Sequence, residues 1–107
     1  MEEEYFIKAD SYDFDERISA PVVFVLFYDH MDNNCRGFEC IIEEVAEKYN
    51  ESVVFLSVDI EQSPDIAFRY SVESVPYVIL FSDGVPVSDV EGANLPDIYM
   101  DMIESAI

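Results

Sequence analysis

Two cysteines, Cys35 and Cys40, the single histidine, His30, and the aspartates Asp29 and Asp32 fall in one short stretch of this chain. Residues of these types support thiol–disulfide exchange, acid–base work or metal binding, and their spacing discriminates among the three. Cys35 and Cys40 are five residues apart, which on a helix places them ~140° apart around the axis and ~7.5 Å apart along it. A disulfide needs closely approaching Cα atoms and facing Cβ vectors, so no bridge within the chain is expected. Without a further His or Cys cluster, a zinc site is not expected. Asp29, His30 and Asp32 make a thin ligand set, so the reading is no metal and no cofactor. His30 is in reach of Cys35 as a base in principle, but its place in a polar turn reads as solvent-exposed. Asp32 reads first as a helix N-cap.

The elements that hold this stretch are legible from hydrophobic pattern. Val22 to Tyr28 is β-branched and aromatic without polar alternation, the pattern of a strand buried on both faces. From Cys35 to Tyr49, Phe38, Ile41, Ile42, Val45, Ala46 and Tyr49 recur at helical spacing, with Glu39, Glu43, Glu44, Glu47 and Lys48 opposite. A buried strand feeding a helix N-terminus exposes unpaired backbone N–H groups that favour negative charge.

Around this junction, Tyr5 to Lys8 reads as a first strand, and Asp10-Ser11 as the cap of a helix through Ser19. Val53 to Val58 reads as a buried strand. Ser63 caps a helix opening on Pro64, and Tyr77 to Phe81 is a third apolar strand. Asp83-Gly84 signals a hairpin into a strand from Val85 to Val90. A terminal helix starts near Asn94-Leu95-Pro96-Asp97, with Ile98, Met102 and Ile103 facing inward. The order β-α-β-α-β-α-β-β-α predicts an α/β fold in which four helices cover both faces of a mixed five-stranded sheet.

The 107 residues suit one domain, residues 1–107, and a 50% hydrophobic fraction excludes a disordered chain. A net charge of −19 disfavours nucleic acid and anionic membrane surfaces, which need Lys and Arg. It suits a salty cytoplasm or a cationic protein partner. No apolar run is long enough to span a bilayer, and the acidic start Glu2-Glu3-Glu4 is unlike a secretory leader, so the expected location is cytoplasmic. The acids form no EF-hand pattern.

Several segments, in this order, resemble the thioredoxin family across nearly the whole chain. They are the strand ending Phe27-Tyr28, the helix Ile41 to Tyr49, Val58-Asp59-Ile60-Glu61-Gln62-Ser63-Pro64, Val75-Pro76-Tyr77, Phe81-Ser82-Asp83-Gly84 and Gly92. The resemblance implies a thioredoxin fold, a cis Val75–Pro76 peptide, and a groove where the Val75 backbone pairs with an extended client. Client-binding positions implied by it are Tyr28, Met31, Val75, Pro76, Tyr77, Gly92 and Ala93.

At the redox motif the chain departs from the family. Met31 stands at the family's tryptophan, and Asp32-Asn33-Asn34-Cys35 replaces its Cys-Gly-Pro-Cys. The nucleophilic cysteine is therefore absent, and Cys35 matches the shielded, resolving one. The family's buried aspartate and its lysine partner are Leu26 and Ser57 here, and Cys40 stands at a helix-kinking proline and reads as a small core residue. The leading expectation is a monomeric module that has lost dithiol chemistry and binds a protein or peptide client, with cationic clients suiting its charge. A second reading is a thiol–disulfide oxidoreductase in cell redox homeostasis, with Cys35 as its single catalytic thiol. A third is an acidic ion-binding or structural module.

Overall fold

The computed structural model describes residues 5–31 and 33–107, with the side chains of residues 33–37, 39 and 40 outside the described set. Nine elements follow in the expected order: β1 (Phe6–Lys8), α1 (Phe14–Arg17), β2 (Val22–Tyr28), α2 (Asn33–Tyr49), β3 (Val54–Asp59), α3 (Pro64–Arg69), β4 (Tyr77–Ser82), β5 (Val85–Glu91) and α4 (Pro96–Glu104). The sheet runs β1-β3-β2-β4-β5. β3 lies parallel to both β1 and β2, whereas β4 is antiparallel to β2 and β5.

β2 has a strand on each side, and its side chains alternate between two separate cores. Phe24 and Leu26 join Phe38, Ile42, Val45 and Ala46 of α2 and Tyr99, Met102 and Ile103 of α4. Val23, Val25 and Phe27 join Phe14 of α1 and Ile66 and Ala67 of α3 on the opposite face. Period-2 alternation with apolar residues on both sides explains the unbroken hydrophobic run.

Several expected local details differ. The helix read from Asp10 to Ser19 shortens to the four residues of α1. The Asp10 carboxylate accepts the backbone N–H of Tyr12 (2.9 Å) and Asp13 (3.2 Å), holding those residues in a turn before the helix begins. Ser63 precedes α3 but makes no side-chain cap hydrogen bond, because it is turned into the protein and only 2% exposed. On α4, Ile98 is exposed whereas Tyr99, Met102 and Ile103 are buried. Tyr99 begins the i, i+3, i+4 stripe, and Ile98 lies one position off it. α2 starts at Asn33, earlier than expected; Asp32, read as its cap, lies outside the described residues.

Two further features shape the sheet. Asp83 and Gly84 both have positive φ (51° and 83°), the requirement of a tight type I′ hairpin. Further along, the β4–β5 register shifts, so that Leu80 faces Ser88 and Phe81 faces Pro86, leaving Val87 as an extra residue in β5.

At the far end of α2, the Tyr49 hydroxyl donates to the Glu104 carboxylate at 2.5 Å, tying α2 to α4. This hydrogen bond, ahead of burial, pushes the Tyr49 pKa from 10.0 up to about 12. Hydrogen bonding to Asp89 does the same for Tyr77, also to about 12. A folded-state pKa raised above the unfolded value gives stability that is complete below the unfolded pKa and is lost as pH rises through the folded one. Melting temperature measured by circular dichroism should therefore fall between pH 10 and 12. The Tyr49→Phe/Tyr77→Phe variant should start lower and lose less across that window; an equal fall in both proteins would contradict the assignment.

Candidate functional site

The registers bring four chain segments to one end of the sheet. Tyr28 at the end of β2 lies beside Asp59 at the end of β3. Phe27 lies beside Tyr77 at the start of β4, and Tyr77 beside Glu91 at the end of β5. The connections leaving this end are the turn at residues 29–31, the segment 60–63, the loop before Tyr77, and Gly92 with Ala93. Backbone hydrogen bonds join them: Ile60 N–H to the Tyr28 carbonyl, and Gly92 N–H to the Pro76 carbonyl, both at 2.8 Å. The Val75–Pro76 peptide is cis.

Of the client-binding positions expected from sequence, Tyr28 and Pro76 are buried. Val75, Tyr77 and Gly92 are half-buried, Ala93 is exposed, and Met31 is 74% exposed. Among the described residues, the N–H and carbonyl of Val75 have no backbone hydrogen-bond partner. An exposed apolar side chain and an unpaired stretch of backbone are features that accept an extended peptide. Asn33, Asn34 and Cys35 form the first turn of α2, and their side chains, like that of Cys40, lie outside the described residues.

The Gly92 segment is fixed from below by a residue that sequence reading passed over. Tyr99 is fully buried, its ring against Phe24 and Phe38. Its hydroxyl donates to the Gly92 carbonyl (3.0 Å) and accepts the Asn94 N–H (3.2 Å). Burial is the main cause of its raised pKa, so it remains a neutral donor at physiological pH. A tyrosine on the inward stripe of an amphipathic helix is the sequence signal, because a buried hydroxyl needs a partner.

The polar turn predicts a solvent-exposed His30. Its side chain is half exposed (51%), but Nδ1 lies 2.6 Å from a carboxylate oxygen of Asp59, whose side chain is 4% exposed. The other Asp59 oxygen accepts the Glu61 N–H at 2.9 Å. Asp29 accepts the Met31 N–H at 2.9 Å, bending the turn back on itself. Ligand atoms of Asp29, His30 and Asp59 all lie within 4.8 Å of one another.

Beneath the site, Leu26 and Ser57 are direct neighbours across the parallel β2–β3 pair. They are 5% and 1% exposed. The Ser57 hydroxyl is buried with no hydrogen-bond partner among the described residues.

Comparison with known proteins places this arrangement. Residues 5–105 match the family model described as Thioredoxin. The chain belongs to the thioredoxin family. Thioredoxin of Staphylococcus epidermidis is 34% identical over 86 residues, covering 80% of this chain and 83% of that protein. Staphylococcus aureus thioredoxin is 33% identical over the same span. A solved structure of a mutant thioredoxin from Halobacterium salinarum superimposes with a TM-score of 0.87 at 27% identity, covering 99% of this chain and 94% of that one. The expected thioredoxin fold is therefore established, with its five-stranded mixed sheet and four helices. No helix among the described residues is long and apolar enough to cross a membrane.

Within that family fold, Leu26 and Ser57 leave this part of the interior without charge. A lone carboxylate at position 26 would be a buried charge without a partner. Leu26→Asp should cost about 3–5 kcal/mol in urea unfolding at pH 8, and adding Ser57→Lys should restore part of the loss. A cost below about 0.5 kcal/mol would show that position 26 is not sealed from water. Tyr99→Phe, which removes the partner of the Asn94 N–H and leaves the Gly92 carbonyl only the Asn94 side-chain amide, should cost about 1–2 kcal/mol and speed amide exchange at Asn94. Unchanged exchange would remove the clamp role.

Proposed function

We propose that this thioredoxin-family protein is a client-binding module and not a dithiol reductase. One observation carries the reading. The peptide-docking edge is kept, with the Val75 backbone unpaired by other backbone among the described residues and Met31 exposed beside the turn, whereas the sequence places Asp32 where the family's attacking thiol belongs. Disulfide reduction by this family needs a thiolate to open the client's disulfide and a second thiol to release it. Asp32 supplies negative charge without a nucleophile, and Cys35 matches the resolving position only.

The uncharged Leu26–Ser57 pair supports the same reading. Leu26 and Ser57 offer no group to move a proton to or from a resolving thiol. The docking edge, by contrast, needs no ionisable residue, since an extended peptide is held by main-chain hydrogen bonds and side-chain pockets. A net charge of −19 favours a client carrying Lys or Arg, mainly by speeding encounter.

Insulin reduction with dithiothreitol, or with NADPH and thioredoxin reductase, tests this. The protein should not exceed the uncatalysed rate, and Asp32→Cys, which restores Cys-x-x-Cys, should raise turnover measurably. Turnover by the unaltered protein, or rapid iodoacetamide labelling of native Cys35, would overturn the proposal in favour of single-thiol chemistry.

A further inference from the structure

We propose that Asp29, His30 and Asp59 form a binding site for one divalent cation of the zinc class. The inference stands apart from the client-binding reading, since it rests on a different set of side chains. Their ligand atoms lie within 4.8 Å of one another, although Asp59 is distant in sequence from the other two. The trio is two carboxylates and an imidazole, a net charge of −2 when the imidazole is neutral, so one divalent ion balances it.

Burial sharpens the case. The Asp59 side chain is 4% exposed, and among the described residues its only basic partner within ion-pair distance is His30. The two Asp59 oxygens are held by the His30 imidazole and the Glu61 N–H, and a buried carboxylate gains further from a cation beside it. The other ion pairs found among the described residues, Arg17–Asp13 and Arg69–Asp15, hold their arginines elsewhere, and Lys8, which lines the same small pocket as Asp59, makes no ion pair with it.

Chemistry selects the ion. Imidazole with carboxylate suits Zn2+, Co2+ and Ni2+, and three protein ligands with a water is a common open zinc set. Ca2+ takes six to eight oxygens, more than two carboxylates provide, and Mg2+ keeps its water shell. Zinc bonds of 2.0–2.2 Å at tetrahedral angles hold neighbouring donors ~3.3 Å apart. The His30 Nδ1 and Asp59 oxygen, now 2.6 Å apart, need to separate only slightly. A neutral ring then carries its one proton on Nε2 and leaves Nδ1 free for the metal, with no net proton release; a ring protonated on both nitrogens first gives the Nδ1 proton to solvent. Glu61 N–H and Met31 N–H, bonded to Asp59 and Asp29, orient the two carboxylates from behind, as outer-shell donors do.

His30 is the only histidine in the chain, so its imidazole nitrogens report the site directly in long-range 1H–15N NMR spectra. Zn2+ added to the reduced protein, in excess Mg2+ and KCl to saturate and screen the general acidic surface, should shift Nδ1 and saturate at one ion per chain. Co2+ titration should give ligand-field absorption without a thiolate charge-transfer band. His30→Ala and Asp29→Asn, neither at a buried position, should each weaken affinity at least about tenfold, while Cys35→Ser leaves it unchanged. Circular dichroism would confirm that the variants are folded. Unshifted imidazole signals at saturating Zn2+, equal affinity in His30→Ala, or a cobalt–thiolate band abolished by Cys35→Ser would each overturn the site.

Discussion

β2 is hydrogen-bonded along both edges, to β3 and to β4, and packed on both faces, so its side chains from Val23 to Phe27 are shut off from water. A charge in such a strand must carry its partner with it or cost several kcal/mol. Leu26 and Ser57, neighbours on β2 and β3, meet that constraint by carrying no charge at all. The same strand delivers Tyr28 and then Asp29, His30 and Met31 to the surface in a fixed order. What the interior forbids and what the site presents are thus two ends of one strand.

At that end the energetics change sign. Inside, stability comes from the two apolar clusters, where fully burying each large side chain is worth about 1.5–3 kcal/mol. Outside, five basic residues face 24 acids, and the exposed pairs Arg17–Asp13 and Arg69–Asp15 add at most about 1 kcal/mol each. The acids therefore contribute potential more than stability. At Asp59 the regimes meet: a carboxylate at a buried strand end, held by the Glu61 amide and a half-exposed histidine.

Most of the architecture was legible because β2, α2, β3 and β4 carry long periodic patterns, and each came out within a residue or two of its expected limits. The misses were local. Asp10 commits its carboxylate to a turn, Ser63 faces inward, and Ile98 sits beside the buried stripe; in each case a single side chain chose between two partners that sequence presents equally. At the candidate site, family likeness anticipated the cis Val75–Pro76 peptide and the meeting of the Pro76 and Gly92 segments. Asp59 was not seen as a partner of His30, because only strand register brings residues so far apart in the chain into contact. Tyr99 was hidden similarly, its hydroxyl reaching backbone rather than another recognisable side chain.

The shift of register in β5 has a bearing on how copies of this protein behave at high concentration. A free sheet edge is a template on which another chain's strand can grow. Here one edge is the three-residue β1. The other, β5, exposes Val85 and Val87, yet Pro86 lacks an N–H, the extra residue at Val87 breaks the even ladder, and Asp89 and Glu91 place like charges where a second copy would dock. The edge is a poor template for self-assembly, so a sheet with two open sides need not propagate from molecule to molecule.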